Sequence, residues 1–517
     1  FERWKHAGPD VFASALEKNT ELKGVLLEET PWVLNARSER ESKERIALLF
    51  DLQRMGAEQA TALKKLREMQ LPNGAWPWWS GMRESRYITQ HIVAGFGHLE
   101  KLDAVDLRPD GMSQQMVKDA VRWLDGEVER AYRDLVKHTK KEELDRYVPG
   151  HSDIHFLYAR SFFGRWTIDG ATRTAVDFYL KRLNATWLQQ GLQDQAMAAL
   201  AMHRLGEPEV AQLIMRSLSE RATRSEELGM FWKGFVSGFD WWSFPTETHA
   251  LLIEAFNDVS GDTASVNALR THLLRLKQTT DWKTTKATAD ACYALLLNGD
   301  NWLVDTGSPV ITVGGTPISS DQAEAGTGTF EHVFAPATVK PAMAEVTITS
   351  NTVHPGWGAL HWQYLERMDR ITPHESPFSI RKQVFAKKST DAGTQLVPVG
   401  SDAKLTPGDR LTIRIELRTD RPVDHVHLKD LRGAGLEPTE TLSGYRYQGG
   451  LGYYRTTRDA SVNFFFDRIM PGTYVLEYDL NVSHAGDFSN GITTAMCMYA
   501  PEFSSHSQGV RVRVEGR

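Results

Sequence analysis

The run Ala294-Leu295-Leu296-Leu297-Asn298-Gly299-Asp300-Asn301, followed by Val310-Ile311-Thr312-Val313, marks where the chain changes structural character. Before it, apolar residues recur three and four apart. Examples are Ile46, Leu48, Leu49, Leu52 and Met55; Met197, Leu200, Ala201 and Leu205; Leu251, Leu252, Ile253 and Phe256; and Val266, Leu269, Leu273 and Leu276. That spacing lines one face of an amphipathic helix. After it, alternation with period two takes over in Glu345-Val346-Thr347-Ile348-Thr349, in Arg410-Leu411-Thr412-Ile413-Arg414-Ile415-Glu416-Leu417 and in Val510-Arg511-Val512-Arg513-Val514. Those segments are half-buried strands. Gly314-Gly315, Pro407-Gly408, Gly449-Gly450 and Pro471-Gly472 supply turn residues between them.

The fold class expected is therefore multidomain, α then β. A weak internal repeat refines the helical half: a polar turn with Gly or Trp, an aromatic residue, then a helix starting near Ser or Thr. Asn73-Gly74-Ala75-Trp76-Pro77-Trp78 leads into Ser85-Arg86-Tyr87-Ile88-Thr89; Gly238-Phe239-Asp240-Trp241-Trp242 leads into Thr246-Glu247-Thr248; Asp281-Trp282 leads into Thr284-Thr285-Lys286-Ala287-Thr288. Helices entered repeatedly through the same loop chemistry suggest paired helices in a ring, an α/α toroid with loops on one face and small residues inside. The polar, proline-bearing junction Thr372-Pro373-His374-Glu375-Ser376-Pro377 divides the β half. The domains expected are residues 1–300, the toroid; 301–370, a small β domain too short and uneven to close on its own; and 371–517, a β-sandwich.

The composition excludes several classes. With 517 residues, 41% hydrophobic and 24% charged, the chain is ordinary folded protein of about three or four domains. No run approaches the roughly 18 apolar residues that cross a bilayer. A net charge of -6, with basic and acidic residues interspersed, gives no footprint for nucleic acid. Because the chain begins with Phe1 instead of Met, it is expected to be a processed product or an excised piece.

Twelve of the fifteen tryptophans precede residue 300, and Trp76, Trp78, Trp79, Trp241 and Trp242 fall in loops near Arg83, Glu84, Arg86, Tyr87 and Asp240. Such a mixture could line a carbohydrate cleft, aromatic faces stacking on sugar rings and carboxylates supplying acid and base. The simpler reading has the tryptophans plugging the end of the ring. His91, His98, His138, His151, His155 and His249 invite a metal reading, since His151 and His155 stand one helical turn apart. Pro149-Gly150-His151-Ser152-Asp153 reads instead as a turn and helix cap. Cys292 and Cys497 are expected to be buried thiols acting as small hydrophobes. No Walker loop, dinucleotide fingerprint, nucleophile elbow or acid-rich Mg²⁺ cluster occurs, so no cofactor is expected. Val462-Asn463-Phe464-Phe465-Phe466-Asp467 and Met470-Pro471-Gly472-Thr473-Tyr474 form a hairpin whose aromatics are core.

Several long segments, in order, carry a family resemblance: Leu26-Leu27-Glu28-Glu29-Thr30-Pro31-Trp32-Val33, Met69 through Trp78 with Ser85 through Gln90, Tyr453-Tyr454-Arg455, Val462 through Phe466, and Met498-Tyr499-Ala500-Pro501-Glu502. The chain resembles the C-terminal portion of bacterial alpha-2-macroglobulin family proteins of the Bacteroidetes type. That resemblance implies a thioester-type toroid (terpenoid cyclase-like) over residues 1–300, a CUB-like β segment over 301–370, and a macroglobulin-like sandwich, equivalent to the receptor-binding domain of animal relatives, over 371–517. It implies a non-enzymatic, broad-spectrum endopeptidase inhibitor of the periplasm or cell envelope, which traps proteases after bait cleavage. The partners implied are proteases and upstream macroglobulin domains of the same chain, with membrane contact only through an N-terminal lipid anchor outside these residues. The family's thioester needs Gln three positions after Cys. Leu295 follows Cys292 at that distance and Ala500 follows Cys497, so neither forms one, and the Cys-x-x-Gln segment and the bait are expected upstream of Phe1. No catalytic residue carries over. The candidate binding loop is Asn73, Gly74, Trp76, Trp78, Arg83, Arg86 and Tyr87, with no metal ligand. The alternatives are a carbohydrate-active toroid enzyme with a sandwich module, or a non-catalytic cell-envelope interaction module.

Overall fold

The computed structural model describes residues 52–105, 107, 111–233, 244–297, 309–319, 330–350, 358, 360–362, 364–391, 393–400 and 403–516. The middle copy of the repeat, with Trp241 and Trp242, lies outside them.

After α1 (Leu52–Met69), helices of two kinds alternate: α2 (Arg86–Lys101), α3 (Met112–His138), α4 (His151–Ser161), α5 (Gly170–Thr186), α6 (Leu192–Leu205), α7 (Pro208–Arg221), α8 (Pro245–Ala255), α9 (Thr263–Thr279) and α10 (Thr285–Leu296). The even-numbered helices pack on one another in succession, α2 on α4, α4 on α6, α6 on α8 and α8 on α10. Stacking of His98 of α2 on Tyr293 of α10, ring centroids 3.9 Å apart, closes the circle. The odd-numbered helices pack outside, α3 on α2 and α4, α7 on α6, α9 on α8 and α10. Composition follows position. Helix α6 is buried nearly all round and packs Ala196, Ala198, Ala199 and Ala201 inward, since small residues let inner helices approach. Outer α3 buries a single stripe, Met116, Val117, Ala120, Val121, Leu124 and Val128.

The repeat read from the sequence marks inner helices. Ser85 caps α2 by accepting the Ile88 N–H (3.3 Å), and Thr284 caps α10 by accepting that of Ala287 (3.0 Å). Because each outer helix returns the chain, the inner helices run parallel and their N-termini gather at one mouth. A short hairpin, β1 (Thr223–Ser225) and β2 (Gly229–Phe231), lies between α7 and α8. Its Gly229 has φ +72°, and a Cβ there would lie 2.1 Å from the Ala268 carbonyl oxygen.

Next come β3 (Val310–Val313), β4 (Thr316–Ile318) and β5 (Val346–Thr349), a three-stranded antiparallel sheet in the order β4-β3-β5. Among the described residues from 309 to 368, Val313 alone is a buried apolar side chain. The sandwich follows: β6 (Phe378–Thr390), β7 (Gly393–Pro398), β8 (Arg410–Thr419), β9 (Val423–Leu431), β10 (Leu436–Pro438), β11 (Gly444–Gln448), β12 (Leu451–Thr457), β13 (Ser461–Ile469), β14 (Gly472–Val482), β15 (Gly486–Ser489), β16 (Thr493–Cys497), β17 (Ala500–His506) and β18 (Arg511–Val514). A five-stranded sheet ordered β10-β14-β8-β6-β7 faces a six-stranded one ordered β11-β12-β13-β9-β16-β17, and β15 pairs with β18. The alternation in β8 sends Leu411, Ile413, Ile415 and Leu417 into the core, where Phe464 and Phe466 meet them. Phe465, on the other face of β13, is also buried and stacks on His427. The fold class expected from the sequence, helical toroid then β domains, is what the chain adopts.

Cys497 is buried, as expected. Cys292 corrects the expectation: it is exposed, because the core face of α10 is set by Ala287, Ala291 and Ala294 and position 292 turns away from it.

Candidate functional site

The mouth of the ring collects polar and aromatic side chains from every inner helix. Arg86 Nη2 of α2 reaches Asp153 Oδ1 of α4 at 3.2 Å and donates to the Ser152 carbonyl at 3.2 Å. His151 pairs with Asp194 of α6 at 2.7 Å, and Lys286 with Asp290 on α10 at 2.8 Å. A series of rings crosses this surface: Trp79 against Trp78 (6.2 Å), Trp78 on Tyr87 (5.7 Å), and Tyr87 beside both His91 (6.4 Å) and His155 (6.0 Å). Burial, with Lys286 nearby, holds the His91 imidazole down at about 4 against the opposing pull of Asp290. Burial and the neighbouring His151 and His91 hold His155 well below the ordinary range, so both rings are neutral at pH 7. Burial raises the Glu247 carboxyl above its ordinary value. Behind the rim, Gln90 Oε1, His155 Nδ1 and Thr248 Oγ1 are buried with no hydrogen-bond partner among the described residues.

The candidate loop divides in two. Asn73, Gly74 and Trp76 belong to the framework. Asn73 Oδ1 accepts the Ala75 N–H (3.1 Å), Gly74 sits at φ +93° against the Asp119 backbone, and Trp76, 1% exposed, donates its indole N–H to the Leu66 carbonyl (2.8 Å). Trp78, Arg83, Arg86 and Tyr87 stand at the rim. His151 and His155 do share a helix face, with rings 5.8 Å apart, but Asp153 between them accepts the Gly150 N–H as a cap (3.3 Å). No group of metal-ligating side chains occurs among the described residues.

At the opposite end of the ring lies a cluster that sequence reasoning missed. Glu254 of α8 accepts from Arg204 (2.5 Å), Tyr158 (2.6 Å) and Tyr293 (2.8 Å), and Lys101 stands 3.5 Å away. Burial would raise its carboxyl; Arg204, His98 and Lys101 outweigh burial and take it to about 2. No local signal could have found it, because its members come from all the inner helices.

The sandwich docks on the mouth side, on the β1–β2 tip and the loop entering α10. Asp424 of β9 accepts the Asp281 backbone N–H (3.2 Å), pairs with Lys283 (3.1 Å) and takes a two-pronged contact from Arg468 of β13 (2.5 and 3.0 Å). Thr279 Oγ1 donates to the Pro422 carbonyl (3.2 Å), and Arg421 bridges Glu227 of the hairpin tip (2.7 Å) and Asp420 (2.8 Å). Burial opposes the Asp424 charge, and Arg468 with Lys283 overcomes it, so the carboxyl lies at about 2.

The chain thus joins an α/α ring to a two-sheet sandwich through charged contacts. Residues 378–502 match the family model described as "Bacterial Alpha-2-macroglobulin MG10 domain". The resemblance drawn from the sequence is borne out at the level of the bacterial alpha-2-macroglobulin family, and the Bacteroidetes type is not reached by that match. No curated protein matches the chain. Among solved structures, trypsin-activated alpha-2-macroglobulin from Escherichia coli is similar at 12% identity and a TM-score of 0.38, covering 99% of this chain and 32% of that one. Salmonella alpha-2-macroglobulin reacted with methylamine is similar at 13% identity and a TM-score of 0.32, covering 97% of this chain and 29% of that one. Native Escherichia coli alpha-2-macroglobulin from domain MG7 to the C-terminus is similar at 12% identity and a TM-score of 0.32, covering 99% and 74%. The chain thus spans less than a third of the length of the first two. The likeness to the family rests on the MG10 match over residues 378–502.

Proposed function

We propose that this chain is the C-terminal part of a protease-trapping inhibitor, non-enzymatic, of the Bacteroidetes type and placed in the periplasm or cell envelope. The observation that carries the proposal is the MG10 domain at residues 378–502, held against the toroid mouth through Asp424. Neither cysteine has Gln at the third position after it, so this segment supplies framework, not the acyl group of a thioester. Its own residues set how firmly toroid and sandwich stay docked. In this reading the ion pairs of Asp424, Arg468, Lys283, Arg421 and Glu227 hold the two domains docked until a distant cut lets them part. Targets are proteases, acting on the longer protein together with its upstream macroglobulin domains.

The test mixes the full-length protein with trypsin and compares cleavage of a large protein substrate with that of a small peptide. A trap protects the large substrate and spares the small one. Equal cleavage of both, by trypsin shown to have cut the protein, would sink the proposal.

A further inference from the structure

The loop from Pro77 to Glu84 stands on the rim of the mouth, closed by a backbone bridge between those two residues. Its two indoles are bare: Trp78 is 45% exposed and Trp79 67%. Tyr87 covers one face of Trp78, nearly parallel at 16°, while Trp79 meets Trp78 edge-on at 62°. What remains is an open corner, a flat indole floor with a second indole as its wall. Adjacent exposed tryptophans are unusual on a soluble surface and mark places that something covers.

The polar groups around the corner narrow the occupant. Arg83 and Glu84 are exposed and form no side-chain hydrogen bond or ion pair among the described residues. Among the described residues deeper in the mouth, Arg86 is matched by Asp153, His151 by Asp194 and Lys286 by Asp290, with the Glu247 carboxyl raised by burial behind them. These pairs favour neither an anion nor a cation. The surface does present an unpaired donor and an unpaired acceptor beside the indoles, the Arg83 guanidinium and the Glu84 carboxylate.

We propose that this corner is a binding site for a neutral oligosaccharide. A pyranose ring stacks on the free face of Trp78 with Trp79 as the wall, and Arg83 and Glu84 take ring hydroxyls. Flat C–H faces suit indole, and paired hydroxyls suit a guanidinium and a carboxylate; an apolar peptide would leave Arg83 and Glu84 desolvated without partners. The site involves no covalent step and does not depend on the protease-trapping proposal.

The experiment titrates the chain with cellohexaose, chitohexaose and an aromatic hexapeptide, following tryptophan fluorescence and calorimetry. One or both sugars should bind saturably, and Trp78→Ala and Trp79→Ala should each weaken that binding about tenfold or more. Trp79→Ala and an Arg83→Ala, Glu84→Ala double variant touch exposed side chains, so an unchanged melting temperature shows that lost binding is not lost folding. Absence of sugar binding by the folded chain overturns the proposal, as does binding that survives Trp78→Ala combined with Trp79→Ala. Binding of the peptide alone assigns the corner to a protein partner and overturns it as well.

Discussion

Asp424 of the sandwich accepts the backbone N–H of Asp281 in the toroid at 3.2 Å, and the same carboxylate holds Lys283 of the toroid and Arg468 of its own domain. One buried acid thus ties two domains distant in sequence. Replacing it removes the shared anion and leaves Arg468 facing Lys283 across the interface. Asp424→Asn should cost about 1–3 kcal/mol of docking stability, since the charge-assisted bonds from Arg468 and Lys283 weaken while Lys283 keeps Asp281. Calorimetry should show one melting transition separating toward two, the toroid now melting apart from the sandwich. An unchanged single transition would mean that the contact contributes nothing to docking.

The same carboxylate has a defined acid limit. Its folded pKa, at about 2, lies below the ordinary aspartate value of 3.8, so its contribution is complete above pH 4 and fades as pH falls through about 2. Histidines act earlier. Burial pushes His249 down to about 3, with help from His272, and pushes His272 and His427 down to about 4. The unfolded chain takes up these protons near 6.5 while the folded chain refuses them, so stability is complete above that pH and declines below it. Each imidazole removes up to about 1.4 kcal/mol per pH unit between roughly 6 and 4.5. Urea unfolding should therefore weaken steeply over that range, and His427→Gln should reduce the slope by about a third of the share of these three. A flat profile from pH 7 to 5 would contradict the neutral, buried state of the rings.

Much of this was legible in the sequence where the signal is local. Ser85 and Thr284 announced the inner helices because a cap and its helix are neighbours, and the alternation from Arg410 to Leu417 announced a strand because one face is buried. The candidate loop was harder. Trp76 and Trp78 are two residues apart in one turn, yet Trp76 is core and Trp78 is rim, a difference set by which side of the turn meets α1 and Thr89. Cys292 read as buried because its neighbours Ala291 and Tyr293 are. The Asp424 and Glu254 clusters left no trace at all, since their partners are brought together only by ring closure and docking.

Ring closure supplies a sharper test. Glu254 is fully buried and joins α6, α4 and α10 through Arg204, Tyr158 and Tyr293. Glu254→Gln leaves the Arg204 charge inside the ring with Asp258 as its remaining acid, and should cost about 3–5 kcal/mol. Tyr293→Phe removes one hydrogen bond while keeping the stack on His98, and should cost about 1–2 kcal/mol. Chemical denaturation of both variants gives the comparison; equal losses would show that the buried carboxylate contributes no more to ring closure than its single hydrogen bond from Tyr293.

Gly74 offers the last test, because it separates framework from rim within the candidate loop. Its φ of +93° lies in the region that favours glycine, and a Cβ would fall 2.5 Å from the Asp119 carbonyl oxygen on α3. A backbone oxygen at that distance cannot rotate away as a side chain could, so α3 or the loop must shift. Gly74→Ala should lose about 2–4 kcal/mol from backbone strain and displaced packing together. The same loop pins Gln70, whose amide donates to both the Gly74 and Met116 carbonyls at 2.8 and 2.9 Å, so the shift would also strain the α1–α3 contact. Hydrogen exchange in Gly74→Ala should speed up at the N-terminal turns of α3 and leave the sandwich strands unaffected. Unchanged exchange at α3 would show that the loop yields alone, and that Gly74 serves its own turn and not the packing beneath it.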